Sequence, residues 1–89
     1  MSFESQVNSS DPVVSEAAKM MQMYSEQLKK GDISQEEYKD LAQSVLNHQR
    51  VMEIVSDMKR CNEIFKAFQE MMQIASVIGQ FAPGLVSKL

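Results

Sequence analysis

The apolar positions of this chain fall into helical stripes, and over residues 34–78 no glycine or proline interrupts them. Val14, Ala17, Met21, Tyr24 and Leu28 recur at alternating three- and four-residue spacing, which lines them along one face of a helix. Asp11 can cap the first free backbone N–H groups, and Pro12 suits a first helical position, where its missing N–H costs nothing. Glu16 lies near the positive end of the helix dipole and Lys29 and Lys30 at the negative end. Gly31 can take the left-handed conformation that closes a helix. The pattern predicts a helix over 12–30. Ser34 and Glu37 then make a capping box, with Ile33 and Tyr38 placed as a hydrophobic staple. The turn at 31–34 is short enough to favour antiparallel packing, with Tyr38, Leu41 and Val45 facing the first helix.

From Val51 the pattern becomes a strict alternation: Val51, Ile54, Met58, Cys61, Phe65, Phe68, Met72 and Ala75. This is the spacing of a coiled-coil-like seam, with Ile64, Met71 and Ile78 flanking it at seven-residue intervals. The seam is out of phase with Tyr38, Leu41, Val45 and His48, the change falling at residues 47–50. Such a shift is either a stammer in one helix or a break that makes three helices. No glycine, proline or second capping box marks a break, so the sequence favours one helix over 35–78. The expected fold class is all-α: a helical hairpin with a long coiled-coil-like second helix, the alternative being a three-helix bundle. The seam lacks leucine and mixes Phe, Met and Cys, which suits a wider helical core better than a two-stranded zipper.

Length gives this pattern its functional meaning. A helix over 35–78 would run roughly 65 Å at about 1.5 Å per residue, whereas the first helix is near 28 Å and covers less than half of it. The uncovered apolar surface points to a protein partner, self or foreign, on the 51–81 face. Its contact residues are expected to be Val51, Ile54, Met58, Cys61, Ile64, Phe65, Phe68, Met71, Met72, Ala75, Ile78 and Phe81. The chain is expected to be a homo-oligomer or a subunit of a larger assembly. Residues 1–10 are polar and serine-rich and read as a flexible N-terminal arm, anchored, if it docks, by Phe3 and Val7. Residues 79–89 read as an apolar tail; Phe81, Leu85, Val86 and Leu89 would fold back over the bundle or enter a partner's groove.

Leu28, a basic turn with Gly31, then Ile33, Glu36, Glu37 and Tyr38 opening a second helix form a recognisable pattern. Residues 28–46 thereby resemble the SHOCT domain, a short helical hairpin found at the C-termini of many bacterial proteins. The resemblance covers about a fifth of the chain and departs from the family by lying mid-chain. It implies a role in oligomerisation.

Charge and composition narrow the chemistry. The net charge is −3 and the basic residues are interspersed with acids, as in Glu26 with Lys30, Glu36 with Lys39 and Glu63 with Lys66. That is a solvated helix surface, and no nucleic acid partner is expected. One cysteine and one histidine allow neither an internal disulfide nor a zinc set; no catalytic, cofactor or metal residue is expected, and the chain reads as no enzyme. His48 and Cys61 would sit on separate faces of one helix. Cys61 reads as a small buried hydrophobe, and His48 as a partly buried polar residue or, more sharply, a pH-sensitive interface residue. Met20, Met21 and Met23 cannot all face one side, leaving adaptable apolar surface.

No secretory signal and no run of about 20 apolar residues is visible, so the expected location is the cytoplasm or a larger particle. Residues 71–87 carry no charge, which keeps a membrane-surface role as an alternative, although a basic polar face is missing. The function expected is a non-enzymatic structural or interaction module, similar in type to small virion or assembly-apparatus components. A regulatory binder or inhibitor of one foreign protein is the other reading.

Overall fold

Where the backbone finds caps decides where each helix starts and stops. The computed structural model describes residues 3–80, which form five helical segments: α1 Glu4–Val7, α2 Pro12–Lys30, α3 Gln35–Val45, α4 His48–Ile54 and α5 Met58–Gln80. No strand occurs among the described residues, and the fold is all-α. Asp11 Oδ1 accepts from the Val13 N–H at 2.9 Å to open α2. Gly31, at φ 80°, closes it, its N–H and that of Asp32 donating back to the carbonyls of Leu28 and Gln27. These two bonds satisfy carbonyls that the helix end leaves without a partner. Ser34 Oγ accepts from the Glu37 N–H while Glu37 Oε1 accepts from the Ser34 N–H, each at 3.1 Å, and this reciprocal cap starts α3.

The single helix expected over 35–78 is corrected by the structure: it is interrupted twice. At Asn47 the backbone turns extended, with ψ 112°, and Asn47 Oδ1 accepts from the Gln49 N–H at 2.9 Å to open α4. Val55 leaves the helix at ψ 117°. Asp57 Oδ1 then accepts from the N–H groups of Lys59 (2.9 Å) and Arg60 (3.4 Å) to begin α5. Asn and Asp side chains offer the backbone a local alternative to helix, so they can end and restart one without glycine or proline. The phase change at 47–50 is therefore a break and not a stammer, and the architecture is nearer to the bundle alternative. The long axis of the molecule is 46 Å, well short of the roughly 65 Å of an uninterrupted helix.

The helix directions follow from two contacts. Arg60 pairs with Asp11 at the starts of α5 and α2. Gln35 Nε2 donates to the Gly79 carbonyl at 2.6 Å, joining the start of α3 to the end of α5. Hence α2 and α5 run parallel, α3 returns antiparallel to both, and α4 makes the crossover. Helix α2 packs against α1, α3 and α5, and α5 against α2, α3 and α4.

Covered from several sides, α5 buries a wider stripe than a seam. Its sealed residues are Cys61, Ile64, Phe68, Met71 and Ala75, while Phe65 and Met72 are only half-buried. The expected order is thus corrected: Ile64 and Met71 sit at the centre and Phe65 and Met72 on the flank. In α2, Ala18 and Ser25 are buried and Tyr24 is half-buried. Ser25 tolerates burial because its Oγ donates to the Met21 carbonyl and accepts from the Tyr38 hydroxyl, both at 2.8 Å. Burial pushes the Tyr38 phenol above its ordinary pKa, and the Ser25 bond opposes that rise.

The arm expected at residues 1–10 is also corrected from Phe3 onward. Phe3 is 1% exposed, Val7 packs on the core, and Ser15 Oγ donates to the Val7 carbonyl at 2.7 Å. Burying one large apolar side chain is worth about 1.5–3 kcal/mol, enough to hold a four-residue helix that could not stand alone. The apolar tail expected at 79–89 lies, from residue 81 on, outside the described residues.

Candidate protein-interaction surfaces

Of the residues expected to meet a partner, half are spent inside the chain's own core. Val51, Cys61, Ile64, Phe68, Met71 and Ala75 are buried in the chain's own core and expose almost nothing to a partner, although Val51, Phe68 and Ala75 reach the floors of surface grooves. The premise that α5 outruns its cover fails for its middle turns, because breaking the chain at Asn47 and Asp57 lets α3 and α4 fold onto it. Phe65, Met72 and Ile78 are half-buried and pack on the core edge. Ile54 and Met58 remain open, and Phe81 lies outside the described residues.

Two apolar features stand out among the described residues. The first surrounds α4. Ile54 is 61% exposed and Met58 69%, and Met52 is open beside them. Across a shallow groove of about 110 Å³, Ile54 faces Met20 of α2, over a floor that includes Ala17, Val51 and Phe68. Met23, also exposed, lies one turn along α2 from Met20. Charges of both signs border this face: Glu16 and Arg50 line the groove, and Glu53 and Lys59 lie next to Ile54 and Met58 in the chain. The second feature, at the other end of α5, is a groove of about 550 Å³ between α3 and α5. Tyr38, Ala42, Met72 and Ala75 form its apolar lining, and Gln35, Lys39 and Gln43 its rim.

Local chemistry fixes the end of the bundle that carries the first face. Arg60 lies in the first turn of α5, where a positive charge opposes the helix dipole. Asp57 caps that turn, and Asp11 engages Arg60 through two bonds, Nε to Oδ2 at 2.8 Å and Nη2 to Oδ1 at 3.1 Å. The Arg60 guanidinium holds the Asp11 carboxyl below its ordinary pKa against the opposing effect of burial, helped by the backbone N–H of Val13. Asp11 therefore caps α2 and clamps α5 at once. The Cys61 Sγ–H donates to the Val55 carbonyl at 3.3 Å, engaging an acceptor freed where α4 ends. Cys61 is sealed in the core, its side chain serving the α4–α5 junction.

His48 departs from the expectation of partial burial. It is exposed, with one ring face stacked on Phe65 at a centroid distance of 4.5 Å and an interplanar angle of 25°. That contact shields the half-buried Phe65. Among the described residues no three His, Cys, Asp or Glu side chains converge as a metal site would require, and no helix is long and apolar enough to cross a membrane.

The sequence stripes did not disclose Met52 or Ala42. Met52 is off the 51–54–58 spacing, and only its position in a short helix with one covered face leaves it open. Ala42 lies four residues after Tyr38, so the Tyr38–Ala42 spacing was the available signal for the lining of the larger groove. No protein family, curated protein or solved structure matches this chain.

Proposed function

We propose that this protein is a non-enzymatic interaction module that self-associates through the Met/Ile face around α4. The observation that carries this reading is the exposure of Ile54 on the groove it shares with Met20, with Met52 and Met58 also open within four residues of it in the chain. Isolated exposed apolar residues are ordinary; a cluster of large ones rimmed by charge marks interaction sites. A second copy suits the face because its rim carries both signs. A two-fold axis can then set Glu16 and Glu53 of one copy near Arg50 and Lys59 of the other. The face is small, which places the association in the weak, concentration-dependent class. The resemblance of residues 28–46 to an oligomerisation hairpin supports the same reading. In that role the protein would be a building block of a larger assembly, in the cytoplasm or within a particle.

A second reading, a binder of one foreign protein, is favoured by the side chains themselves. Four of the open residues are methionines, Met20, Met23, Met52 and Met58, and thioethers adapt to varied partner surfaces.

Light scattering coupled to size-exclusion chromatography over a dilution series tests the proposal. The wild-type chain should pass from dimer to monomer on dilution, and the double substitution Ile54→Ser, Met58→Ser should remain monomeric with an unchanged melting temperature. A wild-type chain that stays monomeric at every concentration overturns self-association.

A further inference from the structure

Methionine is divided sharply between the surface and the core. Among the described residues, four of the five exposed large apolar side chains are methionines: Met20, Met23, Met52 and Met58. Met21 and Met71 are 0% exposed, and Met72 is half-buried at the core edge. We infer that the open methionines are sites of reversible oxidation by hydrogen peroxide, and that their sulfoxides dissolve the contact between copies while the fold stays intact. The inference rests on the self-association proposed above.

The reaction needs a reachable sulfur and nothing else from the protein. A thioether lone pair attacks one peroxide oxygen, the S–O bond forms as the O–O bond breaks, and the departing hydroxide takes the remaining proton and leaves as water. Sulfur loses two electrons and the peroxide gains them. A thiol would compete for the oxidant. The chain's one cysteine does not, because Cys61 is 1% exposed and its Sγ–H is turned onto the Val55 carbonyl. Burial likewise shields Met21 and Met71, the two thioethers whose oxidation would put a polar oxygen in the core.

The consequence differs between the free and the associated chain. On a free chain each new sulfoxide is solvated, so the bundle loses little. On docking, that oxygen is stripped of water against an apolar surface, and an unpartnered polar group opposes burial. Met20 is the most telling position, since it shares its groove with Ile54 over a floor that includes Ala17 and Phe68. Exposure also serves the reverse step, because open sulfoxides are within reach of the reductases that restore methionine, one enzyme for each epimer.

Peptide mapping and light scattering together test this. The dilute full chain is treated with hydrogen peroxide, and oxygen uptake at each methionine is followed by mass spectrometry. Met58 and Met52 should react fastest, Met20 and Met23 next, and Met21 and Met71 far more slowly, with the melting temperature unchanged. Over a dilution series the oxidised chain should need about tenfold more protein to dimerise, and treatment with both reductases should restore the original midpoint. The variant Met20→Leu, Met23→Leu, Met52→Leu, Met58→Leu, which conserves volume, should dimerise and ignore peroxide. Met21 or Met71 reacting as fast as Met58 overturns the inference. So does an untreated dimer whose midpoint survives oxidation, or a shift that persists in the leucine variant. In each of these cases the untreated dimer is still seen, so self-association stands. An untreated chain that is monomeric throughout defeats self-association first and the inference with it.

Discussion

Met71 and Met58 lie on the same helix, yet Met71 is sealed and Met58 is the most open large apolar residue described. The middle turns of α5 are covered by α2 and α3, whereas the first turn is held through Arg60 to Asp11 and through Cys61 to the end of α4, which leaves the side bearing Met58 open. Two residues with the same side chain thus have different work, one in stability and one at the surface. An apolar stripe says which face of a helix avoids water; the neighbouring elements decide whether the chain itself covers that face.

The sharpest way to break this distinction is to truncate along α5. Phe68→Ala should cost about 3–5 kcal/mol and Met71→Ala about 2–5 kcal/mol, while Met58→Ala should stay within about 0.5 kcal/mol of wild type, all read by urea unfolding. Phe65→Ala should fall between these limits, since Phe65 is half-buried under His48. Equal losses at Met58 and Met71 would dissolve the contrast.

Phe3→Ala extends the comparison to the N-terminal segment. A loss near 3 kcal/mol with faster amide exchange in α1 is expected; an unchanged unfolding midpoint would return residues 3–10 to the status of a loose arm. Asp57→Ala should cost about 1 kcal/mol through the lost cap, and its effect should be concentrated at the open first turn of α5.

The mildest effect is set by pH. The Asp11 carboxyl titrates below its ordinary value in the folded chain, chiefly because Arg60 donates to it. Its contribution to stability is therefore fully present above the unfolded value of about 3.9 and is lost as pH falls through the lower folded value. In Asp11→Asn, melting temperatures followed between pH 5 and pH 2 should decline less steeply than in wild type. An identical acid slope would mean that the clamp contributes nothing.

Much of the first half of the fold was legible before the structure. The start of α2 at Asp11 and Pro12, its stop at Gly31, and the reciprocal cap of Ser34 and Glu37 are local devices, written in residues a few positions apart. The breaks at Asn47 and Asp57 were less legible. A lone Asn or Asp is common on helix surfaces, and only the extended backbone at Asn47 and the side-chain bonds back to Gln49 and Lys59 show these two as caps. Burial was legible in part. Cys61, Phe68 and Ala75 were on the expected stripe and are sealed, but the central places of Ile64 and Met71 depend on α5 being packed on more than one side. The candidate face was least legible, because exposure of Ile54 and Met58 is decided by where α3 and α4 fall and not by their own spacing.

The parallel course of α2 and α5 has a consequence for how the chain reaches this state. The α2–α3 hairpin closes through a four-residue turn with caps on both sides and can form from contacts near in sequence. Docking α5 joins Asp11 to Arg60 and Gln6 to Glu70, positions 49 and 64 apart, so its entropy cost must be met before its core contacts return anything. That ordering places the 31–34 turn in the folding nucleus and the α5 core on the late side of the barrier. Damage to the turn should slow folding, and damage to Ile64 or Met71 should mainly hasten unfolding.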